Sequence, residues 1–240
     1  MIKFENTSLN YDKKITVLKN IDLTFEKGKI YGLIGKSGCG KTTLLNSIFN
    51  WNLIKEGNLY LDSNNIKLIK NKKKIKNQIS YIQAQSNLID EISFYDNFLL
   101  VFKHYKNFLY KFFKILTKNQ KKELFKNLQL VNMHEFIFKN IGELSSGQKQ
   151  RMLFVLNNMQ KPNILLCDEP TSNLDEINTN LVYQEIIKEK HDRVTIIAIH
   201  DLSAAIKYCD VLIAIKNGNI EKVYETKPKN KKELLEYFDL

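Results

Sequence analysis

The residues best suited to chemistry lie in the stretch 35–42, whose sequence is GKSGCGKT. This spacing matches the phosphate-binding loop G-x-x-x-x-G-K-[ST], in which glycines let backbone N–H groups contact phosphate oxygens and the next helix presents its positive dipole end. In such a loop Lys41 reaches the β- and γ-phosphates of a nucleotide, and the Thr42 hydroxyl binds Mg²⁺. The candidate nucleotide ligands are Gly35, Lys36, Ser37, Gly38, Cys39, Gly40, Lys41, Thr42 and Thr43.

Two acids and a histidine follow apolar runs further along the chain. Asp168 and Glu169 end the run 164–168, and His200 follows the run 194–199. Because strand ends in a doubly wound sheet converge on one crevice, we expect these three residues to meet the phosphate loop. Asp168 is typical of the acid that holds Mg²⁺ in a P-loop enzyme, and Glu169 is placed to polarise an attacking water. His200 alone is more often a structural histidine.

The pattern around these residues predicts an α/β fold. Residues 2–34 alternate apolar and polar side chains, which indicates an N-terminal antiparallel β part. The continuous apolar runs before the two acids and the histidine are typical of a mainly parallel sheet. A helix is predicted at residues 179–190, and Asn217-Gly218 between two apolar runs predicts a hairpin.

Residues 93–138 interrupt this pattern with a helical insert. The segment has no glycine or proline, and Thr117 is a candidate helix cap. Aromatic and apolar residues recur there at steps of three and four: Phe98, Phe102, Tyr105, Leu109, Phe112 and Phe113. That spacing favours a core over a binding surface, although so many aromatics leave some for a partner. We predict one domain over residues 1–240, with a helical subdomain inserted at about residues 86–145.

The charge balance is strongly basic, but it does not indicate a nucleic-acid partner. The net charge is +11, and Arg151 and Arg193 are the only arginines, so nearly all basic residues are lysines. Such a surface lacks the bidentate side chains that read bases and phosphates, and we expect no nucleic-acid binding. The lysine cluster at residues 70–76 is interpreted as a solvated helix face. The alternative is a contact with an anionic partner or a lipid headgroup layer.

The remaining features indicate a cytoplasmic location. The first residues lack the apolar stretch of a signal peptide, and no run approaches 18 apolar residues, so we expect no membrane span. The three cysteines, Cys39, Cys167 and Cys209, show no C-x-x-C spacing and are predicted to be reduced thiols without a metal.

Further motifs give the chain a family resemblance. Residues 144–148 read LSSGQ, followed by KQR, and residues 172–175 read SNLD after the sequence DEPT. These motifs resemble the signature and the D-loop of ATP-binding cassette (ABC) ATPases, in the order that family shows. The resemblance implies that ATP and Mg²⁺ are the cofactors. It also implies that Tyr11 stacks on adenine and that Lys41, Glu169 and His200 serve catalysis, with His200 contacting the γ-phosphate.

The same resemblance implies partners. A second ABC ATPase subunit, identical or related, would close over the nucleotide, with Ser145 and Gly147 of its signature contacting the γ-phosphate in trans. Ser146, Gln148 and Asp175 are the further nucleotide-binding candidates that the resemblance implies. In this family the helical subdomain docks on a membrane permease. The protein would therefore work at the inner face of the cell membrane, and a solute-binding lipoprotein is a further expected partner.

The chain departs from the family pattern at two places. The signature has Ser146 where the family usually has glycine, and we expect this side chain to be tolerated with slower dimer closure. At the Q-loop the aligned position holds Ala84, between Gln83 and Gln85. We favour Gln85 as the ligand of nucleotide and Mg²⁺, with Gln83 as the alternative.

The long insert at residues 105–117 resembles importer ATPases of the phosphonate and thiamine-related type. We therefore predict a subunit that hydrolyses ATP to drive solute import. The alternatives are an exporter-type or cell-envelope ABC ATPase, and a soluble ABC protein acting on ribosomes or DNA. A P-loop kinase is disfavoured because it would give the signature and D-loop no purpose.

Overall fold

The computed structural model describes residues 1–11, 16–84, 87–225 and 231–238. The chain forms two compact units, which are described separately below. The first unit comprises Met1–Tyr81, Asn163–Glu169 and Ile187–Leu240. The second comprises Ile82–Pro162 and Pro170–Ile186. The single-domain interpretation, with its helical subdomain at about residues 86–145, stays a prediction.

An antiparallel sheet opens the first unit. With strands numbered in chain order, its members are β1 (Ile2–Asn10), β2 (Thr16–Phe25), β4 (Ile54–Leu61) and β5 (Asn64–Asn65), arranged β2-β1-β4-β5. Leu18, Ile21, Leu23 and Phe25 of β2 are buried. From Ile21 to Phe25 buried and exposed residues alternate, because successive side chains along a strand point to opposite faces of the sheet. The predicted N-terminal antiparallel part is confirmed.

A second, mainly parallel sheet carries the candidate chemistry. Its strands are β3 (Ile30–Ile34), β6 (Ile79–Ile82), β7 (Ile164–Asp168), β8 (Val194–Ala198), β9 (Val211–Lys216) and β10 (Asn219–Tyr224). Their order is β10-β9-β3-β8-β7-β6. Strand β3 pairs in parallel with β8 and β9, and β7 pairs in parallel with β8. Every residue of β3, β7 and β8 is buried, as the continuous apolar runs predict. Strands β9 and β10 form the predicted antiparallel hairpin.

The helices of the first unit are short. They are α1 (Lys41–Phe49), α2 (Lys72–Lys76), α8 (Leu202–Tyr208) and α9 (Lys232–Leu235). Helix α1 buries Leu44, Leu45 and Ile48 in the core cluster formed with both sheets. Helix α2 buries no residue, in agreement with a solvated lysine face.

The second unit contains the helical insert. Its helices are α3 (Phe94–Val101), α4 (Phe108–Phe112), α5 (Lys118–Leu130), α6 (Ser146–Asn158) and α7 (Glu176–Lys188). Thr117 caps α5 in a capping box with Gln120, so the predicted cap is confirmed. Phe98 and Phe102 are buried and their rings stack with centroids 4.8 Å apart.

Two predictions were wrong in detail. Leu109, Phe112 and Phe113 are 62%, 67% and 63% exposed, so the assignment of this aromatic series to the core holds only for its first half. Helix α7 begins at Glu176 rather than at residue 179, because the Asp175 carboxylate accepts the Asn178 N–H at 2.8 Å and caps an earlier first turn.

None of the helices in the described ranges is both long and apolar enough to cross a membrane. Cys39, Cys167 and Cys209 are free in the structure. Burial raises the pKa of the Cys167 thiol to about 12, although the charge of the Arg193 guanidinium acts in the opposite direction.

Candidate active site

The phosphate loop joins β3 to α1 and turns on residues with positive φ. Gly35 has a φ of 144°, and a Cβ at this position would lie 2.2 Å from the Ile215 carbonyl oxygen of β9. Only glycine fits so close to a neighbouring strand. Gly40 caps α1, so the helix begins at Lys41 with its first N–H groups facing the loop.

The Lys41 ammonium is buried and fully held by its own loop. Its Nζ donates to the Gly35 carbonyl at 2.7 Å and to the Lys36 carbonyl at 2.9 Å, and lies 4.0 Å from Cys39 Sγ. The side chain is 5% exposed. A cation held over the loop in this way provides a positive charge at the place where a phosphate would enter.

Asp168 lies at the end of β7 and meets the start of α1. Burial raises the pKa of its carboxyl, while a hydrogen bond donated by the Thr42 hydroxyl acts in the opposite direction. Burial, with Asp168 as the next largest influence, also raises the pKa of Tyr81 on β6. A buried carboxylate beside a hydroxyl is an oxygen donor set that a hard divalent cation would stabilise.

Glu169 and His200 form a pair at the ends of neighbouring strands. His200 Nε2 lies 2.8 Å from Glu169 Oε1, and the Glu169 N–H donates to the Ala198 carbonyl at 3.1 Å. Glu169 has a φ of 53°, in the left-handed region that L-residues rarely adopt. Non-glycine residues held in this region cluster at functional sites.

One cleft brings the loop and this pair together. It is lined by Ser37, Gly38, Gly40, Lys41, Thr42, Thr43, Glu169 and His200. Within the described ranges no group of three His, Cys, Asp or Glu side chains could hold a metal by itself. The cleft therefore places a glutamate and a histidine beside an anion cradle.

A second cavity of about 410 Å³ adjoins the outer side of the loop. Its walls are Thr16, Val17, Lys36, Ser37, Gly38, Cys39, Ile215, Lys216, Asn217 and Gly218.

Tyr11 is 56% exposed, and its hydroxyl accepts a hydrogen bond from Thr43 Oγ1 at 3.4 Å. The Tyr11 ring is therefore close to the first turn of α1.

In the second unit, the signature residues start α6. Ser145 caps the helix and forms a capping box with Gln148, while Ser146 is exposed in the first turn. A Cβ at Gly147 would lie 2.7 Å from the Asn173 carbonyl oxygen. This close approach explains why glycine stands at that position, and it brings the D-loop against the signature.

Side chains outside the predicted set connect these two segments. Arg151 Nη1 donates to the Val131 carbonyl and to Asn178 Oδ1, both at 2.8 Å. The Asn178 backbone N–H and its Nδ2 both donate to the Asp175 carboxylate at 2.8 Å, and these two bonds lower the pKa of Asp175. Gln150 Oε1 accepts the Asn173 N–H at 3.2 Å. Gln150 and Asn178 could not be predicted from the sequence, because an amide side chain in a helix carries no signal of its partner.

The Q-loop is described only in part. Gln83 and Ala84 are exposed, directly after β6. Gln85, the favoured ligand, lies outside the described residues.

The parallel sheet, the phosphate loop and the acids at the strand ends define a P-loop nucleotide-binding protein. The family described as ABC transporter matches residues 18–172. The probable ABC transporter ATP-binding protein p29 of Mycoplasma pneumoniae is 34% identical, over 99% of this chain and 98% of its own. The phosphonates import ATP-binding protein PhnC of Mesoplasma florum is 33% identical, over 95% of each chain.

A solved structure shares this architecture. It is a dimeric post-hydrolysis state of an ATP-binding cassette bound to ADP and Pi, with a TM-score of 0.80 and 25% identity. The match covers 95% of this chain and 100% of that one. The chain belongs to the ABC transporter family, and it is an ATP-binding, ATP-hydrolysing cassette. This assignment removes the P-loop kinase alternative.

Proposed function

We propose that this chain powers solute import as the ATPase subunit of a membrane transporter, closing into a dimer on ATP and driving a permease. The observation that carries the proposal is the Glu169–His200 pair, 2.8 Å apart in the cleft of the phosphate loop. Relatives named as import ATP-binding proteins supply the direction of transport. The protein then works at the inner face of the cell membrane.

In this proposal the first unit holds the nucleotide. Backbone N–H groups of the loop and the Lys41 ammonium bind the β- and γ-phosphates. Thr42 and Asp168 would hold Mg²⁺, because a buried carboxylate beside a hydroxyl is an oxygen donor set that fits this ion. The ion supplies neutralisation of phosphate charge. By the family resemblance, Tyr11 packs on the adenine.

Hydrolysis needs a positioned water, and Glu169 is the residue that orients it. Its carboxylate lies against the His200 ring, and its backbone N–H bond to Ala198 of β8 fixes the main chain that carries the side chain. Phosphoryl transfer depends on positioning and charge stabilisation more than on covalent help, so a carboxylate held in this way suits the role. His200 lies beside it to contact the γ-phosphate.

The partner subunit completes the site. By the family resemblance, Ser145, Ser146, Gly147 and Gln148 of one subunit contact the nucleotide held by the other, with the N-terminus of α6 directed at phosphate. Asp175 supports this contact through Asn178 and Arg151. Gln85 or Gln83 completes the nucleotide site as the Q-loop ligand.

The proposed substrate class is organic phosphorus compounds such as phosphonates. The support is the name of the PhnC relatives, which match more than nine tenths of this chain. A solute-binding lipoprotein is the expected delivery partner. Isothermal titration of that lipoprotein with methylphosphonate and with acetate tests the class. Binding of neither, or of acetate alone, would argue against it.

The first test is a pull-down in mild detergent with ATP, using Glu169→Gln to trap the closed dimer. Lys41→Met, which cannot hold the phosphates, is the matched control. Recovery of a multi-span membrane protein with Glu169→Gln and not with the control supports the proposal. A lipoprotein in the same complex supports import. Recovery of ribosomes or DNA instead would remove the transport function and leave the ATPase in place.

A further inference from the structure

The stretch of residues 106–115, here called the aromatic segment, exposes an unusual amount of apolar surface. Phe108, Leu109, Phe112, Phe113 and Ile115 are 76%, 62%, 67%, 63% and 50% exposed. Three of the five exposed phenylalanines in the described ranges are in this segment. Single exposed apolar residues are ordinary, but a contiguous group marks a contact surface.

The aromatic segment is ordered by its own backbone. Asn107 caps α4 by accepting the Tyr110 N–H, and the Phe113 N–H donates to the Leu109 carbonyl at 3.0 Å. The Phe108 and Phe112 rings lie 6.2 Å apart, and the Phe112 and Phe113 rings 5.1 Å apart. Positions 108 and 112 share one side of the helix. The Phe113 ring, just after the helix, meets the Phe112 ring edge-on, so the three rings form a single apolar ridge.

Lysines flank the ridge, and acids are absent from it. Lys106, Lys111 and Lys114 are exposed within the aromatic segment, and Lys118 follows at the start of α5. Between Asp96 and Glu123 the sequence has no aspartate or glutamate. The segment is therefore an apolar ridge whose own charged residues are all lysines, on a chain with a net charge of +11.

We propose that the aromatic segment contacts the anionic lipid surface, with its phenylalanines inserted at the headgroup boundary and its lysines on lipid phosphates. Protein–protein interfaces are depleted in lysine, whereas lysines around an apolar face are typical of segments that lie on anionic membranes. The mixture of residues thus favours a lipid surface over a protein groove. This proposal rests on the proposed function in one respect only, namely that the protein acts at a membrane.

The test is flotation of the whole protein with vesicles of phosphatidylglycerol and phosphatidylcholine at about a 1:2 ratio, and with phosphatidylcholine alone. The wild-type protein should float with the anionic vesicles only. Phe108→Ser/Phe112→Ser/Phe113→Ser should weaken binding by about tenfold per ring. Leu68→Ser/Ile177→Ser, which removes two residues exposed by 80% and 72%, is the matched control and should bind like wild type.

Charge is tested separately. Lys106→Gln/Lys111→Gln/Lys114→Gln should weaken binding by about fivefold per lysine. Lys72→Gln/Lys73→Gln/Lys74→Gln removes the same charge from α2 and should have a smaller effect. A wild-type protein that does not float, aromatic variants that float normally, or an equal loss from the α2 variant would each overturn the proposal.

Two further measurements complete the test. The Phe112→Trp variant should shift its emission to shorter wavelength on anionic vesicles, and an unchanged spectrum would count against insertion. Binding to native membranes that is lost after protease treatment of those membranes, without binding to pure lipid, would identify a protein partner and overturn the lipid assignment. ATP hydrolysis is assayed without vesicles, so failure of the ATPase is distinguished from failure to bind lipid.

Discussion

The backbone of Glu169 gives a prediction that separates strain from catalysis. Its φ of 53° places an L-residue in the left-handed region. Glu169→Ala and Glu169→Gly both delete the carboxylate and its contact with His200, so these losses cancel between the two variants. What remains is the difference between alanine and glycine at one strained position.

The magnitude follows from two opposing terms. An L-residue in the left-handed region costs roughly 1–2 kcal/mol, which glycine does not incur. Glycine also lowers the free energy of unfolding by about 0.4–1 kcal/mol relative to alanine, because it makes the unfolded chain more flexible. From the midpoints of these two ranges, the free energy of unfolding should be about 0.8 kcal/mol higher for Glu169→Gly than for Glu169→Ala. For a chain of this size that is about 1–4 °C in melting temperature.

The assay pairs calorimetry of both variants with phosphate release from ATP. Hydrolysis should fall by about a hundredfold or more in both, because each lacks the residue that orients water. The melting temperatures should nevertheless differ, with glycine higher. Equal stability, or greater stability of the alanine variant, would refute the left-handed backbone and the idea that strain is stored at this site.

Three further predictions follow from the same geometry. Lys41→Met should weaken ATP binding about ten- to a hundredfold in titration calorimetry, because a charge-assisted hydrogen bond contributes about 1.5–3 kcal/mol; unchanged affinity would remove the lysine from the site. Ser145→Ala should lower stability by about 1 kcal/mol in a denaturant titration through loss of the α6 cap, and an unaltered midpoint would argue against that cap. Burial raises the pKa of Asp168, so its carboxylate destabilises the ligand-free fold as the pH rises through that pKa. Asp168→Asn should therefore melt higher than wild type at neutral pH but not in acid, and a gain that persists in acid would contradict the titration argument.

Much of the site could be predicted from the sequence because its elements are local. The phosphate loop is one continuous motif, and Asp168 and His200 follow apolar runs long enough to identify buried strands. Strand order in a parallel sheet then brings their ends together, which needs no knowledge of side-chain packing.

The rest depends on contacts between distant residues. The bond from Arg151 to Asn178 joins positions 27 residues apart, and no local pattern indicates it. The second half of the aromatic series in the helical insert is assigned wrongly to the core for the same reason, because burial depends on distant contacts. Helical spacing places Phe98 and Phe112 on the same kind of face, and only the fold determines that one is covered and the other is not.

The anchoring of Lys41 by two carbonyl groups has a consequence for how this loop tolerates mutation. Every residue type carries the same carbonyl, so the identity of the side chain at Lys36 does not determine where the ammonium sits. Gly35 differs, because any Cβ there collides with the carbonyl of Ile215. Over evolutionary time, substitutions should accumulate at Lys36 and be eliminated at Gly35. The part of the loop held constant is then the backbone path rather than the sequence as a whole.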